Sequence, residues 1–208
     1  MAISTYAELK TSIANWLDRS DLTDIIPDFI SLAETRHKRD FKIRRMETRV
    51  TANTISGTEY YSLPDNYVAM RNIKLNSDPK TSLEYLTPEI MDRLQAGSST
   101  GMPKAYSIKG NDIQIRPLPD GVYEIEMLYY KYFTPLSDSN TTNDMLTYHP
   151  DLYLYGALVE AEPYLQNDKR LQTWASLYDR AKKDLIDTNE RDRHSGTAPV
   201  TRIDYGVA

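Results

Sequence analysis

The hydrophobic period changes twice along this chain, and that change limits its fold more than any other feature. Apolar residues recur at helical spacing from Tyr6 to Phe41. They alternate from Glu47 to Phe133, then return to helical spacing from Leu152 to Leu185. A helix stripe buries one face every three to four residues, and a half-buried strand buries every second residue. The pattern therefore predicts an α+β fold, with helices at both ends and a β-rich segment between them.

The first helix is expected over about Thr5–Asp18. Thr5 followed by Glu8 is a capping box, and Tyr6, Leu9, Ile13, Trp16 and Leu17 form its stripe. The second is expected over about Thr23–Arg44, with Ile26, Phe29, Ile30, Ala33, His37 and Phe41 facing inward and Pro27 in the first turn. Strand candidates follow at Glu47–Asn53, Glu59–Leu63, Val68–Leu75 and Ser82–Leu86, broken by Ser56-Gly57 and Pro64-Asp65-Asn66. A short helix opens at Thr87-Pro88. A hairpin is centred on Gly110-Asn111, and a long strand runs from Val122 to Phe133. After a polar loop from Ser137 to Asp144, helices return at Pro150–Leu165, which Pro163 should kink or end, and at about Asp168–Arg191. The simplest packing gathers the four long helices into one bundle. Residues 1–46 and 145–194 then make a discontinuous helical body, 47–144 a β-rich insertion, and 195–208 a C-terminal tail without sustained periodicity.

Composition narrows the chemistry. The 208 residues contain no Cys, which excludes disulfides, Cys-bound zinc and thiol catalysis. The three His, at 37, 149 and 194, have no partner at metal-ligand spacing. No phosphate loop, dinucleotide fingerprint or nucleophile elbow is present; Gly97-Ser98-Ser99-Thr100-Gly101 resembles a phosphate cradle but lacks the Lys-Ser/Thr element. No cofactor is expected. The start of the sequence lacks the pattern of a signal peptide, and no apolar run reaches the roughly 18 residues of a membrane span, so a soluble protein made in a cytoplasm is expected.

Two charge features bear on function. Glu124 and Glu126 would share one strand face roughly 7 Å apart, within the span that glycosidases use. Such pairs are also common on solvated strands. Glu160 and Glu162 cannot share a helix face. The run Arg36, Lys38, Arg39, Lys42, Arg44 and Arg45 is strongly basic. It complements the dipole at the end of the second helix, or it contacts an acidic protein surface or DNA phosphates. The net charge of −5 argues against a sequence-reading DNA binder. The 16 Tyr against 3 Phe suit half-wet contact surfaces as well as strands. Val200, Ile203 and Tyr205 are apolar anchors in an otherwise polar tail.

The sequence resembles a known family at several points. Tyr6-Ala7-Glu8-Leu9-Lys10, Ile13-Ala14-Asn15-Trp16-Leu17, Asp21-Leu22-Thr23-Asp24 and Ile26-Pro27-Asp28-Phe29-Ile30 look like the head-to-tail adaptor (connector, head completion) proteins of tailed bacteriophages, of the podovirus type. So do Ala33-Glu34-Thr35-Arg36, Arg39-Asp40-Phe41 and Leu63-Pro64-Asp65-Asn66-Tyr67. The likeness returns at His149-Pro150-Asp151-Leu152-Tyr153-Leu154-Tyr155-Gly156-Ala157-Leu158 and at Trp174 with Tyr178. The resemblance implies a helical bundle with a β domain and a non-enzymatic structural role in the virion, assembled in the host bacterial cytoplasm. It also implies a dodecameric ring beneath the portal that extends the DNA channel without sequence-specific DNA binding and carries the tail or nozzle proteins. It suggests that a C-terminal arm, with Val200, Ile203 and Tyr205, reaches the portal. Two other functions stay open on the residues alone: a virion-associated peptidoglycan hydrolase acting through Glu124 and Glu126, and a DNA-binding packaging accessory acting through Arg36–Arg45.

Overall fold

A computed structural model describes residues 3–94, 99–165 and 170–193. Among these the fold is α+β, with six α-helices and two four-stranded sheets. The chain divides into two compact units, Met1–Arg45 with Phe133–Ala208, and Met46–Tyr132.

In the helical unit, α1 spans Tyr6–Leu17, α2 Ile26–Asp40, α4 Asp144–Tyr148, α5 Pro150–Leu165 and α6 Leu171–Arg193. The expected capping box opens α1: the Glu8 amide donates to Thr5 Oγ1 at 3.3 Å and the Thr5 amide to Glu8 Oε2 at 3.0 Å. The helix α5 is apolar nearly all round, and α1, α2, α4 and α6 all pack on it. Its Gly156 makes room for that packing, since an added Cβ would stand 3.3 Å from Ala33 Cβ and 3.3 Å from the Tyr178 ring. The predicted inward residues of α2 are all buried, but the helix is shorter than expected. Residues 22–25 form a turn before it, and Phe41 is extended. Trp16 departs from its expected place in the α1 stripe. It is 43% exposed and meets Tyr155 edge-on at 5.8 Å, because Leu9, Ile13 and Leu17, four residues apart, already fill the buried face.

Residues 133–144, expected with the β-rich segment, cluster with the helices. Polar bonds explain this. The Leu136 amide donates to Glu34 Oε1 at 2.8 Å, Lys10 pairs with Asp138 at 2.9 Å, and the Tyr6 amide donates to the Thr141 carbonyl at 2.7 Å. Asn143 then caps the unforeseen α4, its Oδ1 accepting from the Leu146 amide at 2.8 Å.

In the β-rich unit, β1 is Glu47–Asn53, β2 Tyr60–Ser62, β3 Tyr67–Leu75, β4 Thr81–Ser82, β5 Glu84–Tyr85, β6 Ala105–Lys109, β7 Asp112–Arg116 and β8 Glu124–Lys131; a short helix α3 spans Pro88–Leu94. One sheet has the order β1-β8-β3-β4 and the other β2-β7-β6-β5. The single strand expected at Ser82–Leu86 is thus two short ones in different sheets. The hairpin β6–β7 turns at Gly110, whose φ of 62° is open to glycine at little steric cost. Ile73, Leu75, Ile125, Met127 and Tyr129 from the first sheet share a core with Tyr106, Ile113 and Ile115 from the second.

Candidate functional site

The basic run lies at the end of α2 and just beyond it, and the fold uses its members differently. Arg36 pairs with Glu160 of α5 and lies 5.6 Å from the centre of the Tyr178 ring, so it ties α2 to two other helices. Arg44 faces the last turns of α6: its amide donates to Asn189 Oδ1 at 2.7 Å and its guanidinium to the Asp192 carbonyl at 3.1 Å. A cation at that helix end satisfies carbonyls that have no partner within the helix. Arg45 stands 3.5 Å above the Tyr148 ring. In return, Arg193 of α6 donates to the Lys42 carbonyl at 3.3 Å, and Lys182 pairs with Asp40 at 2.6 Å. Lys38 is half-buried. Arg39 and Lys42 are exposed, with no ion pair among the described residues.

A cavity of about 330 Å³ opens beside this cluster, lined in part by Ile43, Arg45, Tyr148, His149, Leu185 and Asn189. Burial lowers the His149 pKa; Asp151 opposes the shift and Arg45 adds to it. Tyr148 is exposed beneath Arg45, and Arg39 and Lys42 also face solvent. Sequence reasoning found the cations but missed Tyr148, because it placed no helix at 144–148. The Asn143-Asp144 pair was the available signal, as an N-cap residue with an acid at the first helical position.

The two glutamates of β8 do share a face, but they are not equivalent. Glu126 is held between Lys74 at 2.8 Å and Arg49 at 3.3 Å, and the Lys74 hydrogen bond is the largest cause of its lowered pKa. Glu124 is exposed and accepts from Asn76 Nδ2 at 3.1 Å. A glycosidase acid needs its pKa raised, the opposite of what Glu126 experiences. The part of the small-residue loop that is described is committed to the fold, since the Gly101 amide donates to the Leu118 carbonyl at 2.8 Å. Among the described residues no group of His, Asp and Glu side chains could hold a metal ion, and no helix is long and apolar enough to cross a membrane.

The exposed aromatics among the described residues are Tyr60, Tyr85 and Tyr132 on the β-rich unit, and Trp16, Tyr148 and Tyr164 on the helical unit. Val200, Ile203 and Tyr205, the expected anchors of the tail, lie outside the described residues.

No curated protein matches the chain. A family model described as SU10 adaptor protein matches residues 4–202, spanning both helical ends and the β-rich middle. The chain therefore belongs to the SU10 adaptor protein family, and is a phage head-to-tail adaptor-type protein, a virion component that associates with other virion proteins.

Proposed function

We propose that this protein forms a ring, dodecameric as the resemblance implies, directly beneath the portal. There it lengthens the DNA channel and gives the tail proteins their platform. The helical unit is the body of each subunit, with α1, α2, α5 and α6 acting as a four-helix bundle. The protein works by shape and adhesion and breaks no covalent bond. The observation that carries this reading is the family match over residues 4–202, which takes in the whole architecture and not one motif. The ion-paired state of Glu126 supports the non-catalytic role, because it leaves no protonated acid beside Glu124 at neutral pH. The internal engagement of Arg36, Arg44 and Arg45 leaves Arg39 and Lys42 for contact with an acidic protein surface. An overall negative charge keeps DNA sliding through the lumen without adhesion.

The test is to size the purified full-length protein alone and mixed with portal. The expected result is a large ring bound to portal in the mixture. A protein that stays a single globule with portal present overturns the reading.

A further inference from the structure

The cavity beyond the end of α2 is unbalanced in charge. Two guanidiniums line it, those of Arg44 and Arg45, against the single carboxylate of Asp192. The contacts that hold the two arginines do not neutralise them. Arg44 donates to a main-chain carbonyl, and Arg45 lies over the Tyr148 ring. Among the described residues neither forms an ion pair.

The neutral groups of the lining have the same bias. Leu185, Thr188, Asn189 and Asp192 recur at helical spacing, so the last turns of α6 share one face toward the cavity. The Arg44 amide donates to Asn189 Oδ1 at 2.7 Å, which leaves the Nδ2 donors of Asn189 without a partner among the described residues. Thr188 adds a hydroxyl. Donors thus outnumber acceptors, and one negative charge with free lone pairs would restore the balance. Ile43 and Leu185, both buried, give the cavity an apolar wall. Its volume of about 330 Å³ is small for a ligand pocket and suits a side chain or two, not a long segment.

We propose that this cavity takes an acidic side chain and the apolar residue next to it from a partner protein. The carboxylate meets the guanidiniums of Arg44 and Arg45, whose planar forks match its two oxygens. The apolar neighbour lies against Ile43 and Leu185. The exposed cations Arg39 and Lys42, close by in the chain, draw an acidic segment toward the opening. Duplex DNA fits this site poorly. A docked phosphate brings its neighbours along the strand, and α6 carries Asp184, Asp187 and Glu190 as well as Asp192 to repel them. The proposal goes beyond the ring reading and does not depend on it.

The test is calorimetric titration of the full-length protein at low salt with short peptides capped at both ends. One carries Glu-Leu at its centre and the other Gln-Leu. Saturable binding of the Glu-Leu peptide is expected, with the Gln-Leu peptide about tenfold weaker. Arg45→Gln should weaken the Glu-Leu peptide by about the same factor. Asp192→Asn removes the competing carboxylate, keeps the carbonyl that holds Arg44, and should tighten binding. Damage to the fold does not produce that gain. No saturable binding, equal affinity for the two peptides, or no gain from Asp192→Asn overturns the proposal. So does tighter binding of a short DNA duplex than of the Glu-Leu peptide, which would make the site one for polyanions. Peptide binding is read on the protein without portal and ring formation by sizing with portal, so either reading can fail while the other stands.

Discussion

His37 should make the helical unit acid-sensitive. It lies 6% exposed among aromatic rings: Tyr153 edge-on at 5.3 Å, Phe41 at 5.5 Å and Tyr178 stacked at 6.1 Å. Neither ring nitrogen has a hydrogen bond of ordinary geometry, although the Leu152 carbonyl gives the charged ring some support. Burial is the main force on its pKa. Asp40 opposes it, Arg36 and Lys182 add to it, and the result is a fall from 6.5 to about 4. The folded state therefore binds this proton more weakly than the unfolded state. Stability from His37 is complete above pH 6.5 and is lost as the pH falls toward 4. Linkage gives a loss of about 2 kcal/mol at pH 5 and about 3 kcal/mol at pH 4. Urea unfolding of the native protein and of His37→Leu at pH 7, 5 and 4 measures it. The variant, apolar and of similar volume, should equal or exceed native stability at pH 7 and lack this part of the acid loss. Identical acid slopes for the two proteins would refute the reasoning, since the proton would then be taken up elsewhere.

Other perturbations have defined outcomes. Glu34 accepts from the Leu136 amide and from the Tyr153 hydroxyl, yet burial raises its pKa. Its folded form thus holds a proton more tightly than the unfolded form, and its contribution is greatest in acid and declines as pH rises. Glu34→Gln should gain stability relative to the native protein as pH rises, read from urea midpoints between pH 4 and 8. Gly156→Ala should destabilise by about 1 kcal/mol in thermal melts, because overpacking against Ala33 and Tyr178 outweighs the gain in helix propensity. Thr5→Ala should cost about 1 kcal/mol through loss of the α1 cap, with no change in oligomeric state by light scattering.

What was legible in the sequence is what local physics governs. The change of period gave the α+β class, Thr5 with Glu8 opened α1, and Gly110 turned the β6–β7 hairpin, because each depends on residues only a few positions apart. Charge type and run length were legible too, so the cations at the end of α2 were found without a structure. Their roles were not. Arg36 finds Glu160 and Arg44 finds Asn189, partners more than 100 positions away that only the packing of α2 on α5 and the course of α6 bring near. The same holds for Trp16, left at the surface by its better-placed neighbours, and for residues 82–85, divided between two sheets. It holds again for Glu126, whose proton affinity is set by Lys74 and Arg49 on the two strands flanking β8. Local spacing determines which element forms, whereas burial and charge pairing depend on contacts far apart in the chain, and those exist only once the tertiary structure has formed.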